Sequence, residues 1–274
     1  MPVNLSLMHP RLLSTIVLIE PVILDEHVGG PGPALMATMR RDTWDSRAKA
    51  ENSLRKAFGT WDIRFLTKFF DYGLRVNPTA LQGQSRDKST SPQAVTLTTG
   101  KHQEAWAYAQ MNFEPKEAGL DRLILPDWDD KFGLPNIAFR PESFTAMQNL
   151  PFIRPGVLYV FGAESPLSSP QLQDQKLART GVSTGGSGGR AEGKVDKRII
   201  QNSGHLVVME QPRATANATA TWIKKWFEQW LVDERTIQEY KSKKSDNEMR
   251  QVSKAWIEAV KLPTNAPRPR SSKL

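Results

Sequence analysis

The residue of this sequence best placed for acid–base chemistry is His205. It follows the turn Asn202-Ser203-Gly204, which interrupts a short apolar run at Ile199-Ile200, and a long helical pattern begins after Pro212. The apolar run predicts a buried strand, and the turn residues predict that the strand ends there. Ligands of doubly wound sheets bind outside the carboxyl ends of the parallel strands. The position of His205 therefore favours a catalytic role over that of an ordinary loop histidine.

Two further apolar stretches predict strands of the same parallel sheet. Leu12 to Leu24 is apolar and rich in β-branched residues almost throughout, which is typical of a strand buried on both faces. Pro155 to Gly162 is the second run and ends at a glycine. Apolar residues recur at helical spacing from Ala214 to Leu231 and predict a helix that packs on the sheet. A last helix is expected at about Asp246 to Val260.

The segment between the first two strands changes to a helical period. A charged helix is expected from Arg40 to Phe58, and it is followed by an aromatic stripe at spacings of four, four and three, formed by Trp61, Phe65, Phe69 and Tyr72. This spacing places the four rings on one face of a helix. The face packs against a neighbouring element, or it belongs to a lid over a site for an apolar molecule, and both interpretations can hold together.

Composition excludes several classes of function. The 274 residues include no cysteine, so a disulfide framework, a thiolate metal site and a cysteine nucleophile are excluded. No metal site and no cofactor are expected. No apolar run approaches the roughly 20 residues that cross a bilayer, so no membrane segment is predicted.

Most of the net positive charge lies near the C-terminus. Residues 235–274 hold ten Lys and Arg against four Asp and Glu, and so carry +6 of the net charge of +8. Charge confined to a tail predicts a solvated extension and no nucleic-acid partner.

The pattern of strands, helices and histidine resembles the C-terminal half of an α/β-hydrolase. Gly204-His205 with Glu210 and Pro212 downstream resembles the histidine loop of that family, and Pro155 to Ser165 resembles the preceding strand and acid turn. More narrowly, the stretches HPRLLSTIVLIEPVI, GVSTGGSGG and GHLVVMEQP are similar to fungal peroxisomal α/β-hydrolases, which include members found in host-selective toxin biosynthesis. The resemblance covers nearly the whole chain.

This resemblance implies an α/β fold class and a division of the chain. The fold would be the C-terminal part of an α/β-hydrolase, with a three-strand parallel core and a helical cap, lacking the N-terminal strands and the nucleophile elbow. Residues 1–33 and 150–232 would form the partial core and 34–149 the cap or lid insertion. Residues 233–274 would form a C-terminal helix and a basic tail.

The resemblance also implies that His205 is the general base and that a carboxylate orients it. Glu164 lies in the acid turn, one residue before Ser165, which occupies the position where the family commonly has an aspartate. Glu20 closes the Leu12 strand, where some members place the acid. A charged residue that closes an apolar strand needs a partner when it is buried, and an imidazolium would supply one. Glu20 is therefore slightly favoured, and both glutamates stay open.

No serine in the chain fits the nucleophile of the family. That nucleophile precedes the acid in the chain and lies on a G-x-S-x-G elbow between a strand and a helix. The matches Gly181 to Gly185 and Gly185 to Gly189 follow no apolar strand and come after the acid. The elbow is therefore expected before Met1, in a protein truncated at its N-terminus. Because loss of such a serine costs on the order of 10⁶ in rate, the chain as written is expected to be inactive.

Two functions follow from the resemblance. The first is hydrolysis of an apolar acyl or ester small molecule in the peroxisome, in fungal toxin or other secondary-metabolite biosynthesis with a link to virulence. The alternative is a catalytically dead remnant or a binding protein. The last three residues, Ser272-Lys273-Leu274, match the S-K-L peroxisomal address, and they predict the peroxisomal import receptor as a partner.

Overall fold

The computed structural model describes residues 2–25, 31–77, 93–108, 110–111, 137–138 and 142–261. The chain divides into two compact units, Met1–Ile223 and Lys224–Leu274. In chain order the described elements are α1 (Pro2–Ser6), β1 (Thr15–Ile19), α2 (Pro31–Met39), β2 (Thr43–Trp44), α3 (Arg47–Ala57), α4 (Ile63–Gly73), β3 (Leu74–Val76), β4 (Val95–Leu97), α5 (Lys101–Tyr108), β5 (Gln110–Met111), β6 (Ile137–Ala138), α6 (Glu142–Asn149), a 3-10 helix (Leu150–Phe152), β7 (Gly156–Gly162), α7 (Pro170–Arg179), β8 (Val195–Ile200), α8 (Val207–Glu210), α9 (Pro212–Ser242), α10 (Asp246–Arg250) and α11 (Lys254–Val260).

A three-stranded parallel sheet in the order β1-β7-β8 forms the centre of the first unit, as the sequence predicted. Thr15 is paired with Gly156, and Val157 with Val195. All seven residues of the central strand β7 are buried, which explains why its sequence is apolar without alternation. The core around the sheet is formed by Val3, Ile16, Leu18, Ile23, Ala146, Met147, Leu150, Ile153, Val157, Tyr159, Phe161, Leu177 and Val195.

Strand β1 is shorter and less buried than predicted. It covers Thr15 to Ile19, with Ile16 and Leu18 buried and Ile19 37% exposed, so the prediction of a strand from Leu12 to Leu24 buried on both faces is wrong. Within the described residues β1 pairs only with β7, and an edge strand is expected to alternate. Pairing stops at Pro21 because proline has no backbone N–H to donate.

The segment 34–149 contains strands as well as helices. Strands β2, β4 and β3 form an antiparallel sheet in that order, and β5 pairs with β6. The predicted continuous helix from Arg40 to Phe58 is wrong, since β2 interrupts it and α3 begins only after Ser46. The side chain of Ser46 accepts a hydrogen bond from the backbone N–H of Lys49, which is the usual role of a serine N-cap. Trp44 of β2 is 2% exposed and belongs to the apolar core of this region.

The aromatic stripe forms a buried face only in part. Phe65 and Phe69 of α4 are half-buried, whereas Tyr72 is 71% exposed. Trp61 precedes the helix and stacks on Phe58 with ring centroids 4.0 Å apart, and Phe69 meets the Trp61 ring edge-on. These rings therefore pack on one another around the turn between α3 and α4. The lid interpretation stays a prediction.

The C-terminal helices differ from expectation at their ends. Helix α9 continues to Ser242 instead of ending at Leu231, so it crosses the expected boundary at residue 232. The single helix predicted from Asp246 to Val260 is divided into α10 and α11. Ser245 and Ser253 cap the two helices, and a serine N-cap favours a new helix start. Among the described helices none is both long enough and apolar enough to span a bilayer.

Candidate active site

Glu20 and His205 meet at the carboxyl end of the parallel sheet. Glu20 directly follows β1, and His205 lies in the turn between β8 and α8. Oε2 of Glu20 lies 3.0 Å from Nδ1 of His205. Because β1 and β8 flank β7 on opposite sides, the two side chains meet across the end of the central strand.

The carboxylate of Glu20 is buried and accepts hydrogen bonds from three groups besides His205. The backbone N–H of Gly162 donates to Oε1 over 2.6 Å. The hydroxyl of Ser165 donates to Oε2 over 2.6 Å, and that of Ser168 lies 2.9 and 3.0 Å from the two oxygens. Only 3% of the Glu20 side chain is exposed. A buried carboxylate without partners would be costly, and these donors occupy both of its oxygens.

The surroundings of Glu20 keep it ionised. Burial raises the pKa of Glu20, but the hydrogen bonds from His205, Ser165, Gly162 and Ser168 together outweigh burial and hold the pKa below its ordinary value. Hydrogen bonds to the charged form of a carboxyl group favour that form. An ionised carboxylate only accepts, so the proton of a neutral His205 lies on Nδ1 and Nε2 keeps its lone pair.

Nε2 of His205 is open to an incoming group. It forms no hydrogen bond with any residue in the described ranges, and 38% of the side chain is exposed. An imidazole held at Nδ1 by a carboxylate, with a free lone pair on Nε2, can take a proton from a hydroxyl. The arrangement therefore fits a general base and the acid that orients it.

The backbone of Glu20 is strained at this position. Its φ of 45° lies in the left-handed region, which costs a residue other than glycine on the order of 1–3 kcal/mol. Such a conformation persists only when the surroundings fix it. Here the backbone N–H of Glu20 donates to the carbonyl oxygen of Val160 over 2.9 Å, and four donors hold the carboxylate.

Gly162 lets the histidine loop approach the end of β7. A Cβ at this position would lie 2.2 Å from the carbonyl oxygen of Gly204 and 2.6 Å from that of Ser203. Only glycine fits so close an approach of two backbones. The same residue donates its N–H to Glu20, so one glycine serves both the acid and the loop of His205.

Glu164, the other candidate acid, does not approach His205. Its side chain is exposed, and in the described part of the chain its carboxylate accepts no hydrogen bond. Its backbone N–H donates to the carbonyl oxygen of Ser203 over 2.9 Å. The next residue, Ser165, is buried and bonds to Glu20. The structure thus brings Glu20, and not Glu164, to the histidine.

Ser183 and Ser187, the serines of the two G-x-S-x-G matches, lie at the other end of the sheet from His205. Their loop enters β8 at its amino end, whereas His205 follows the carboxyl end. The backbone N–H of Ser183 donates to the carbonyl oxygen of Pro151, which ties the loop there. Neither serine forms a strand-to-helix elbow.

Sequence reasoning missed three parts of this site. The sequence indicates Gly162 only as a strand end, and Ser168 carries no signal of its own. Ser165 carried a signal, because a small hydroxyl stands where the family commonly has its acid. Glu210 belongs to the predicted histidine loop, and it accepts a hydrogen bond from the backbone N–H of Gly204.

Among the described residues, no three His, Asp or Glu side chains are grouped as metal ligands. The predicted targeting residues Ser272, Lys273 and Leu274 lie outside the described residues.

Comparison with known proteins finds relatives by sequence, although no family model matches the chain. The Type I acyl-CoA thioesterase mpaH of Penicillium brevicompactum is 27% identical over 95% of this chain. The abhydrolase domain-containing protein AFT2-1 of Alternaria alternata is 29% identical over 81% of this chain and 78% of its own length. The chain spans 64% of the length of the thioesterase.

A solved structure shares the fold. The peroxisomal α/β-hydrolase Lpx1 of Saccharomyces cerevisiae superposes with a TM-score of 0.54 at 13% sequence identity, over 89% of this chain and 60% of Lpx1. The parallel β1-β7-β8 sheet, with the Glu20–His205 pair at its carboxyl end, agrees with this fold. The chain has the α/β-hydrolase fold and is similar in sequence to fungal abhydrolase domain-containing proteins.

Proposed function

We propose that this chain carries the base and the orienting acid of a hydrolase that cleaves an apolar acyl ester or thioester. The observation that carries the proposal is the 3.0 Å contact between His205 and the buried, fully hydrogen-bonded carboxylate of Glu20. A histidine with no task in catalysis does not require a strained glutamate, two buried serines and a glycine to hold it. The name of the Penicillium relative, an acyl-CoA thioesterase, supports the acyl class of substrate.

The proposed reaction moves one proton through Nε2 of His205. A serine hydroxyl gives its proton to Nε2 as its oxygen attacks the acyl carbonyl carbon, and Glu20 stabilises the resulting imidazolium. The imidazolium then protonates the departing thiolate or alkoxide. Water repeats the sequence on the acyl-serine, which releases a carboxylic acid and restores the serine. Among the described residues no serine bonds to Nε2, so a rate above background in the 274-residue chain would require a nucleophile outside those ranges.

Hydrolysis by the folded protein tests the proposal. Rates on p-nitrophenyl esters and on acyl-CoA are compared between the 274-residue chain, His205→Ala and Glu20→Gln, with Glu164→Gln as the matched control. A rate above background that falls at least about 100-fold in the first two variants and stays unchanged in the control supports the proposal. Equal background rates in four folded samples overturn it for this chain and favour a non-catalytic binding protein.

We also propose that Ser272-Lys273-Leu274 directs the chain to the peroxisome through the import receptor. An S-K-L C-terminus is an address read by a receptor, and it needs no other part of the fold. A fluorescent tag at the N-terminus reports the location with and without the last three residues. Loss of peroxisomal signal on their removal supports the proposal, and retention of the signal contradicts it.

A place in fungal toxin or other secondary-metabolite biosynthesis, and through it in virulence, is proposed on sequence resemblance alone. Deletion of the gene is expected to remove or replace at least one acylated secondary metabolite in extracts analysed by mass spectrometry. An unchanged metabolite profile in the deletion strain contradicts this assignment and leaves the chemistry of the site untouched.

A further inference from the structure

The carboxylate of Glu210 joins the segment between β1 and β7 to the loop that carries His205. Oε2 accepts the backbone N–H of Gly204 over 2.5 Å, and Gly204 directly precedes the histidine. Oε1 accepts the hydroxyl of Thr60 over 3.2 Å. Thr60 lies in the turn between α3 and α4, here called the cap turn (residues 58–62). One side chain therefore contacts both parts of the structure.

The cap turn contacts the neighbours of Glu210 as well. The backbone N–H of Asp62 donates to the carbonyl oxygen of Met209 over 2.9 Å. Hydrogen bonds from Arg64 lower the pKa of Asp62 to about 2, and the charge of Arg213 adds a weaker attraction. Asp62 is thus ionised at neutral pH, and its main charged partner is Arg64 in α4. The cap turn is therefore docked by the backbone hydrogen bond of Asp62 and by the carboxylate of Glu210.

The backbone N–H of Gly204 depends on Glu210, although other hydrogen bonds hold the carbonyl oxygens of Asn202 and Ser203. Helix α8 is only four residues long, and Asn202, at the start of the turn, has a left-handed φ of 54°. A helix of this length contributes little rigidity of its own. Without Glu210, the backbone N–H of Gly204 would have no acceptor among the described residues. A buried or half-buried donor left without an acceptor favours rearrangement of its loop.

We infer that Glu210 is a positioning residue for His205, and that the cap turn holds Glu210 in place through Thr60. The catalytic meaning of this inference rests on the proposed function, but its geometry does not. In the resting protein, loosening of the cap turn acts on His205 through this carboxylate, beside the backbone hydrogen bond from Asp62 to Met209. Departure of the turn therefore weakens the contact between Nδ1 of His205 and Glu20.

The inference is tested on the resting protein, by two measurements that do not require hydrolysis of a substrate. Protein labelled with ¹⁵N in its four histidines reports the His205 ring by NMR, with His205→Ala for assignment, and amide exchange reports Asp62. Glu210→Met removes both acceptors and is expected to shift the His205 ring signals and to lower the protection of the Asp62 amide about tenfold. Glu210→Gln keeps an acceptor for Gly204 and a polar partner for Thr60, and is expected to restore both measurements.

Thr60→Val separates the contribution of the cap turn. It removes one exposed hydroxyl and is expected to move both signals in the same direction as Glu210→Met, by a smaller amount. Thr67→Val is the matched control, because among the described residues the hydroxyl of Thr67 bonds only to the carbonyl oxygen of Ile63 in its own helix. His205 signals that stay at wild-type positions in Glu210→Met, or in Thr60→Val, overturn the inference. Because neither measurement depends on hydrolysis, its failure is distinguishable from failure of the proposed function.

Discussion

The Glu20 carboxylate and Nδ1 of His205 lie 3.0 Å apart although 185 residues separate them in the chain. The contact exists because β1 and β8 run parallel on either side of β7, so that the residues following each strand lie at the same edge of the sheet. Burial alone would favour the neutral acid, yet the donors around Glu20 reverse that effect. The acid is thus held in its charged form by donors from two segments, residues 162–168 and the loop of His205.

Replacement of Glu20 by glutamine is expected to lower stability at neutral pH by about 2 kcal/mol or more, since hydrogen bonds to a charged acceptor are lost. The folded-state pKa of Glu20 lies below its ordinary value, so its contribution to the free energy of unfolding is present above the ordinary range. It is lost as the pH falls through the folded-state value, where the carboxyl group is protonated. Urea unfolding from neutral pH to about pH 3 measures the difference between the two proteins.

The difference is expected to be largest at neutral pH and to shrink towards acid. Glu164→Gln is the control, because the Glu164 side chain is exposed and a surface substitution of this kind changes stability by no more than about 0.5 kcal/mol. A gap between wild type and Glu20→Gln that stays constant over the whole pH range would show that the charge of Glu20 does not contribute.

Loss of the Ser165 hydroxyl is expected to raise the pKa of Glu20. After that of His205, the hydrogen bond from Ser165 lowers this pKa most, and nothing in an alanine replaces it. The carboxyl carbon of Glu20, followed by ¹³C NMR during an acid titration, measures the change. Ser183→Ala, at the opposite end of the sheet, serves as the control and leaves the titration in place. A midpoint that is the same in Ser165→Ala and wild type would contradict the assigned geometry.

A methyl group at position 162 is expected to displace the histidine loop. The Cβ of Gly162→Ala would lie 2.2 Å from the carbonyl oxygen of Gly204, and backbone cannot yield as the end of a side chain can. The expected loss of stability is about 1–3 kcal/mol or more, together with shifted His205 ring signals. In the control Gly100→Ala, the nearest heavy atom to the new Cβ is 3.8 Å away, so no comparable loss is expected. Equal stability of the two variants would refute the steric argument.

Local sequence patterns predicted the parts of this site better than their assembly. The unbroken apolar run of β7 identified a central strand, because such runs are buried on both faces. The same reasoning overestimated β1, since an apolar run does not reveal that its strand lies at an edge. The sequence favours Glu20 only slightly over Glu164. In the structure, Glu20 is distinguished by its left-handed φ and by donors such as Ser168, which lies 148 residues away. Neither is encoded in local spacing.

Helix starts show the same limit at a smaller scale. Hydrophobic periodicity predicts one helix over residues 40–58, but Ser46 caps a new helix after β2, and β2 pairs with β4, which is distant in the chain. Ser253 divides the last helix in the same way. A serine signals a possible cap, and tertiary pairing decides whether the chain uses it.

Lys176 of α7 is fully buried, and within the described part of the chain its Nζ has no hydrogen-bond partner. Burial lowers the pKa of Lys176, and attraction to the charge of Glu20 opposes this without outweighing it. The nitrogen lies 6.0 Å from the centroid of the Phe161 ring, a contact that compensates little of the lost hydration. This amine is therefore a buried polar group whose desolvation is left largely uncompensated.

Lys176→Met is expected to raise the free energy of unfolding by about 1–2 kcal/mol, because methionine fills a similar volume without a buried polar group that lacks a partner. Urea unfolding at neutral pH measures the gain. The same substitution at Lys56, which is exposed near the end of α3, is the control and is expected to change stability by no more than about 0.5 kcal/mol. If Lys176→Met is instead less stable than wild type, the ammonium contributes net stabilisation through Glu20, and the buried charge belongs to the support of the Glu20–His205 pair.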